Sequence, residues 1–383
     1  MTGNHLASLP RGWRWRQFGE CARLINGRAY AQEELLDTGT PLLRIQNLNG
    51  GDSWYFSDLQ LPEDKYCESG DLLFAWSASF GPYRFTGPRS IFHYHIWRVV
   101  PNEILDKRFA YHLLEWITER VKSASHGVAM LHMTKAGMEA WPVALPALLE
   151  QRRIAEVLDR AEALRAKRRT ALVQLDNLNQ SIFLDMFGDS HDFKTSALAE
   201  LCELITDGTH YTPEYSGDGV LFLSARNVVS GYVDWERVKF IPESLHRELQ
   251  RRVAPRVNDV LLAKNGTTGI AAIVDRDCVF DIYVSLALLR AKNGLLPVYL
   301  HTALNSPMCA KQFRDALKGI GVPNLHLNEI RKTRIPDPPI SLQHQFVCRR
   351  AAVEKLKTAQ RGSLAQLDAL FSALQDRAFR GEL

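Results

Sequence analysis

The chain has no run of roughly 18 to 20 uninterrupted apolar residues, the length a membrane-spanning helix needs, anywhere in its 383 residues. Its start, MTGNHLASLPRGW, lacks the basic and apolar segments of a secretory signal, so a cytoplasmic protein is expected. Six cysteines (Cys21, Cys67, Cys202, Cys278, Cys309 and Cys348) stand far apart with no Cys-x-x-Cys pair. That spacing argues against a zinc site and against a compact disulfide framework, and predicts mostly buried thiols. No phosphate loop GxxxxGK[ST], no GxGxxG opening a βαβ unit and no HExxH is present. The twelve histidines do not cluster with carboxylates at ligand spacing, so neither a metal nor a cofactor is expected for this chain. Asp337-Pro-Pro-Ile340 only partly matches the acidic-Pro-Pro-aromatic pattern of amino-group methyltransferases, and Asp58 with Glu63-Asp-Lys65 reads as a solvated turn rather than a nuclease triad. Charge of one sign is scarce as well: 47 basic against 43 acidic residues leave a net +4, compatible with a polyanionic partner without demanding one.

What the chain does contain is a repeat. Leu24-Ile-Asn-Gly-Arg-Ala-Tyr30 matches Ile205-Thr-Asp-Gly-Thr-His-Tyr211 at an offset of 181, with Gly27 on Gly208. Leu43–Leu48 matches Leu223–Val228 at 180, placing Asn47 on Asn227. Gly70–Gly81 matches Asn258–Gly269 at 188 as an acidic turn, an apolar strand and a small-polar loop ending in glycine. Gly127-Val128 with Leu131-His132 matches Gly321-Val322 with Leu325-His326 at 194, and Gln174-Leu-Asp176 matches Gln366-Leu-Asp368 at 192. A unit of about 190 residues is therefore written twice.

Each unit opens with about 140 residues of short β-rich runs: Pro41–Leu48, Asp71–Trp76 and His95–Val100, then Val220–Asn227, Asp259–Ala263 and Val284–Arg290. Helical patches at Lys107–Lys122 and Met308–Lys318 are mixed in, which together predict a globular α/β or α+β lobe. A proline-marked exit follows, Trp141–Pro146 and then Ile335–Pro339, where helix cannot form. After it each unit turns helical, over Leu148–Phe187 and Leu342–Phe379. Ile154, Leu158, Ala161, Leu172, Leu175, Ile182 and Met186 form a 3,4 ladder on the first tract. Val353, Leu356, Leu364, Leu367, Phe371, Leu374 and Ala378 form one on the second. Such a seam asks for a partner helix, and the economical partner is the other copy, the alternative being a helix of another chain. The expected fold class is α+β, with residues 1–146 and 191–340 as similar lobes separated by helical segments 147–190 and 341–383 that pair as a coiled coil.

Two similar lobes on a paired-helix rod suit a ligand that is itself two sites at fixed distance. Duplex DNA offers that, with half-sites one turn apart lying about 34 Å from each other. The residues in this order resemble the specificity (S, HsdS) subunit of type I restriction-modification systems. The match rests on Leu9-Pro-Arg-Gly-Trp13, the Asp207-Gly-Thr-His210 turn, the two Gly/Asn-Asp-hydrophobic strands, Glu150-Gln-Arg-Arg-Ile154 after Leu145-Pro146, and the terminal Ala378-Phe-Arg-Gly-Glu-Leu383. The resemblance implies two target-recognition domains, each reading half of an asymmetric bipartite DNA site, with antiparallel spacer helices setting the gap. It also implies a non-catalytic chain that docks two methyltransferase subunits, which bring S-adenosylmethionine, and, in the full complex, restriction and translocase subunits driven by ATP.

Base edges are matched by arginine on guanine and by asparagine or glutamine on adenine. Candidate DNA contacts are accordingly Arg44, Gln46 and Asn47, with counterparts Arg226 and Asn227, the alternative being strand-end solvation and turn capping. Trp76, Ser77 and Ser79 against Lys264, Asn265, Thr267 and Thr268 form the most divergent stretch of the best-matched block, where two readers on one scaffold should differ. Thr209, His210 and Tyr211 suit phosphate or groove contacts, and Arg28 and Tyr30 are their counterparts. The run Arg165-Ala-Lys-Arg-Arg169 interrupts the first helical seam as a solvated face or a phosphate contact. Two other readings compete: a self-contained methyltransferase or restriction enzyme, which would methylate DNA unaided, and a coiled-coil scaffold, which would bind without regard to DNA sequence.

Overall fold

A computed structural model describes residues 9–124, 133–188, 193–317 and 323–383. Gly127, Val128, Leu131, His132, Gly321 and Val322 lie outside the described residues. The chain divides into two compact units, residues 1–169 with 362–383, and residues 170–361. Each unit thus takes in half of each long helix.

Unit 1 holds strands β1 (Arg14–Gln17), β2 (Ala22–Asn26), β3 (Thr40–Leu43), β4 (Tyr55–Ser57), β5 (Tyr66–Cys67), β6 (Leu72–Ala75), β7 (Gly81–Arg84), β8 (Ser90–Phe92) and β9 (Ile96–Pro101). Helix α1 (Lys107–Ala124) and strand β10 (Pro142–Leu145) complete the lobe. One sheet runs β2-β9-β6-β7, all antiparallel; a second runs β4-β3-β8-β5 with β3 parallel to β8; β1 pairs with β10. Helix α2 (Leu148–Phe187) follows the proline exit. Unit 2 repeats the order with β11 (Thr195–Ala197), β12 (Cys202–Asp207), β13 (Val220–Leu223), β14 (Lys239–Ile241), β15 (Val260–Ala263), β16 (Ala271–Ile273), β17 (Phe280–Ile282) and β18 (Leu286–Ala291). Helices α3 (Pro297–Leu304) and α4 (Pro307–Ala316), strand β19 (Arg334–Pro336) and helix α5 (Ile340–Arg380) end the chain. Its sheets run β12-β18-β15-β16 and β14-β13-β17, with β13 parallel to β17 and β11 on β19. The fold is α+β, and the internal repeat is a repeat of topology.

The repeat extends to buried polar devices. Gln151, fully buried near the start of α2, donates to the Ile104 and Pro146 carbonyls at 2.8 and 2.9 Å and accepts from the Asp106 amide at 2.8 Å. Gln343 on α5, at the offset of 192, donates to the Gly294 and Pro338 carbonyls and accepts from the Leu296 amide. Each glutamine ties a long helix to the loop that enters an earlier helix, using both N–H donors and the carbonyl oxygen of a buried amide. Arg290 likewise holds Asp259 at 2.7 and 2.8 Å, as Arg98 approaches Asp71 at 3.8 Å, so the acidic turn before each strand is structural. In unit 1 the family-like terminal motifs converge: Gly381 packs on Pro10, and Arg153 donates to the Leu383 carbonyl at 2.8 Å.

Helices α2 and α5 pack together antiparallel. Residue 165 meets 368, 176 meets 357 and 179 meets 354, so numbers rise on one helix as they fall on the other. In unit 1 Arg165 bridges to Asp368 at 2.6 Å and lies over the Phe371 ring; in unit 2 Lys357 bridges to Asp176 at 2.6 Å. An offset of 192 converts one pair into the other. The hydrophobic ladder differs in detail from the expected one. Leu356 is exposed while Lys357 is buried, its ammonium held between Asp176 and Glu354. Arg165, expected as an interruption, belongs to the interface between the helices, as does Asn179. The basic run is largely satisfied internally, since Arg165 and Arg169 both pair with Glu162 and Asp368.

Two expected strands end early. Leu43 and Leu223 are their last residues, and residues 45–48 and 225–227 form single helical turns. The cause is asparagine chemistry: Asn47 Oδ1 accepts from the Arg44 amide at 3.0 Å and Asn227 Oδ1 from the Ser224 amide at 2.9 Å, which folds the chain back as a cap. Asp337 accepts from Ser196 Oγ at 2.9 Å, Glu63 is salt-bridged to Arg89 at 2.8 Å, and Lys65 Nζ donates to the Asn26 carbonyl, which gives structural roles to the two faint catalytic patterns.

Candidate nucleic-acid interface

In each unit the turn between the last strand of one sheet and the central strand of the other acts as a hub: His93-Tyr94-His95 in unit 1, Tyr283-Val284-Ser285 in unit 2. Three loops hang on it by the same backbone bonds. The His93 amide donates to the Leu43 carbonyl at 3.0 Å, Tyr94 to Arg28, and Trp76 to His95. Tyr283 donates to Leu223 at 2.8 Å, Val284 to Thr209, and Lys264 to Ser285. The loops after β2, β3 and β6, and after β12, β13 and β15, therefore converge at one end of each unit.

Glycine makes the first of these approaches feasible. A Cβ on Gly27 would lie 2.4 Å from the Phe92 carbonyl oxygen, and one on Gly208 would lie 1.8 Å from that of Ile282. Only a residue without a side chain lets the backbones close to bonding distance.

The hub turn of unit 1 is an aromatic cluster. Ring centroids lie 3.9 Å apart for Tyr94 and His95, 4.4 Å for His93 and Tyr94, and 5.0 Å for Trp76 and His95, and Trp76 Nε1 donates to the Tyr94 carbonyl at 2.7 Å. Burial, aided by His95 and Arg44, pushes His93 down to about 4, so this imidazole is neutral at physiological pH. Arg44 lies over the Tyr55 ring at 5.3 Å. Gln46 donates to the Ser53 carbonyl, as Asn47 does to Gly51 and Ser53. Ser79 Oγ accepts from Asn49 at 2.7 Å, while Ser77 is buried. Arg28 forms a two-pronged pair with Glu34 at 2.6 and 3.1 Å, which holds the Glu34 carboxyl below its usual range. Tyr30 packs against the small Leu42, Tyr66 and Ile91 cluster with its hydroxyl buried, and burial drives its pKa up.

Unit 2 presents different chemistry on the same hub. Asp207, ending β12, is buried and holds Arg252 at 2.7 Å, buried Lys264 at 3.2 Å and exposed His210 at 3.3 Å. Tyr211 is exposed and its hydroxyl donates to Glu248 at 3.4 Å; Thr212 and Tyr283 share a hydrogen bond at 3.1 Å. Arg226 and Thr267 are exposed, Thr268 half-buried, and Asn265 bridges to Asn324. Asn227 spends its amide on the Asp234 and Arg237 carbonyls.

Of the residues singled out in the sequence, the structure brings all seventeen to the loops around the two hubs. Several hold the loops instead of facing solvent. Tyr30, Ser77, Thr209, Asn227 and Lys264 have buried or largely buried side chains, Asn47 is stapled, and Arg28 is paired. The hub residues themselves, His93 to His95 and Tyr283 to Ser285, were not singled out. The signal existed: both follow an apolar strand and fall on each other at an offset of 190.

Residues 10–174 match the Type I restriction modification DNA specificity domain family. The EcoBI type I restriction enzyme specificity subunit of Escherichia coli is 24% identical over 99% of this chain and 88% of its own length. The MjaVIII specificity subunit of Methanocaldococcus jannaschii is 22% identical over 99% of this chain and 95% of its own. Among solved structures, a chain from a study of complex assembly and conformational transition of the type I R-M system superposes with a TM-score of 0.57 at 22% identity, covering 98% of this chain and 100% of that one. The type I restriction-modification S subunit from M. genitalium gives 0.52 at 14% identity, covering 99% and 98%. Repeat, topology and relatives agree: residues 10–174 match the type I restriction-modification DNA specificity domain, and over nearly its whole length the chain is similar to the specificity subunits of such systems.

Proposed function

We propose that the chain reads an asymmetric, two-part DNA site, with residues 1–146 reading one half and residues 191–340 the other. Helical segments 147–190 and 341–383 set the undefined gap. The observation that carries this reading is one loop scaffold built twice with different side chains on it: a His-Tyr-His cluster with Trp76 and Arg44 in unit 1, and His210, Tyr211, Arg226 and Thr267 in unit 2. A shared loop scaffold with different donors and acceptors is what two readers of different base edges require.

The partners follow from a second repetition. Leu164, Leu178, Leu356 and Leu370 are 43–54% exposed on the paired helices. The offset of 192 exchanges Leu164 with Leu356 and Leu178 with Leu370. The helix register sets Leu164 level with Leu370 in unit 1 and Leu178 level with Leu356 in unit 2. Two equal apolar patches fit two copies of one partner, the methyltransferase subunit, with restriction and translocase subunits joining the full complex in the cytoplasm.

Single-molecule sequencing of a host that carries the chain and its methyltransferase tests the reading. Methylated adenines should fall in a motif of two short defined halves around an undefined gap, and should vanish when the chain is deleted. An uninterrupted motif, or methylation indifferent to the deletion, would overturn it.

A further inference from the structure

Unit 2 is longer than unit 1 at one place beside its hub. The offset between the two copies rises from 180 at Leu223 to 188 at Asn258, so eight extra residues lie between them. After Pro62 unit 1 makes the single turn Glu63–Lys65, whereas after Pro242 unit 2 makes the helix Glu243–Leu249 and a further turn to Val253. The insertion is fastened to the hub. Buried His246 lies 2.6 Å from buried Asp281 on β17, just before the hub turn, and Glu248 accepts from the Tyr211 hydroxyl. Beyond the helix, Arg252 Nη2 donates to Asp207 Oδ1 at 2.7 Å.

Arg252 is bonded unlike an arginine that braces the fold. Arg290 is 16% exposed, spends Nε and Nη2 on Asp259 at 2.8 and 2.7 Å, and spends Nη2 again on the Ala254 carbonyl. Arg252 is 48% exposed, and among the described residues its side chain makes one hydrogen bond, so the rest of its planar fork of N–H donors is unspent. Nor does Asp207 need it for charge balance, because buried Lys264 already lies 3.2 Å from Oδ2. Asp207 hides its own carboxylate and holds N–H donors of Arg252 and His210 in front of it. Unit 1 has Asn26 at the place of Asp207 and Trp76 at that of Lys264, so this cluster belongs to unit 2 alone. In the major groove guanine alone presents two acceptors side by side, N7 and O6, and a guanidinium edge is their geometric match. Pinning the guanidinium at one corner fixes its plane, which a directional base contact uses and a phosphate, met equally by a mobile ammonium, does not.

We propose that Arg252 reads a guanine in the half-site of unit 2, with Asp207 as its positioning residue, a role that rests on the two-part DNA reading above. The test uses the purified complex of the full chain with its methyltransferase and measures, by competition, duplexes in which each base pair of the methylated motif is replaced in turn. The motif should hold a guanine in the half that stays fixed when residues 1–146 are exchanged, and replacing that pair should cost the parent about tenfold or more in affinity. Arg252→Gln should bring that ratio down to about one and leave the ratios at all other positions as they were. Its melting should be unchanged, because Lys264 still neutralises Asp207. Arg252→Lys, which keeps a cation beside Asp207, serves if the glutamine variant melts early, and it should lower the same ratio because an ammonium lacks the fork. A motif without guanine in that half, a guanine ratio that the variants keep, early melting of both variants, or an equal loss on every duplex would each overturn the proposal, the last by placing Arg252 on a phosphate. A parent motif with no division into halves would instead sink the two-part reading itself.

Discussion

Asp207→Leu should destabilise unit 2 by about 3–5 kcal/mol, the cost of leaving a buried charge without its partner. Asp207 is 2% exposed and Lys264 5% exposed, their charged atoms 3.2 Å apart. Removing the carboxylate strands the ammonium, frees Arg252 and His210, and detaches the ends of two loops from the hub. At about 2–4 °C per kcal/mol for a unit of this size, scanning calorimetry should register a large fall in the unit 2 melting temperature. The double variant Asp207→Leu/Lys264→Leu should recover most of the loss, because apolar groups replace a buried pair at little cost. A single variant as stable as the parent would mean that the pair does not hold the loops.

Gly208→Ala comes next in size. Its new Cβ would fall 1.8 Å from the Ile282 carbonyl oxygen and 2.3 Å from the carbonyl carbon, both backbone atoms that cannot swing away. The turn at 209–212 must then leave the hub, breaking the bonds of Thr209 and Val284, at a cost of about 2–4 kcal/mol. Gly217, which has nothing within 4 Å of its position for a Cβ, is the control, and Gly217→Ala should shift stability by about 0.5 kcal/mol or less. Denaturant titration followed by Trp235 fluorescence compares them. Equal stabilities for the two variants would contradict the close-approach argument.

The repeat made most of the architecture legible. Glycine at 27 and 208, asparagine at 47 and 227 and the Gly70 and Asn258 turns recur because backbone geometry demands them, so they survive divergence of everything around them. The long helices were legible because their 3,4 ladders run without proline. Less legible was what polar residues do. Asn47, Asn227 and Lys264 look like readers in a sequence, but whether an amide or ammonium faces solvent or backbone depends on contacts ten or more residues away, such as Asn227 with Arg237 or Lys264 with Asp207. The hubs were missed for a related reason. His93-Tyr94-His95 and Tyr283-Val284-Ser285 share position and backbone bonding but hardly any side-chain chemistry, and only bonds between distant strands mark them as equivalent.

The central claim is that each lobe independently specifies one half of a divided DNA site. Replacing residues 1–146 with the corresponding segment of a relative of different specificity, and mapping methylated adenines in cells that supply the methyltransferase, tests it most directly. The account predicts that one half of the motif changes while the other half and the gap stay as they were. A motif altered in both halves, or one unaltered in either, would contradict it.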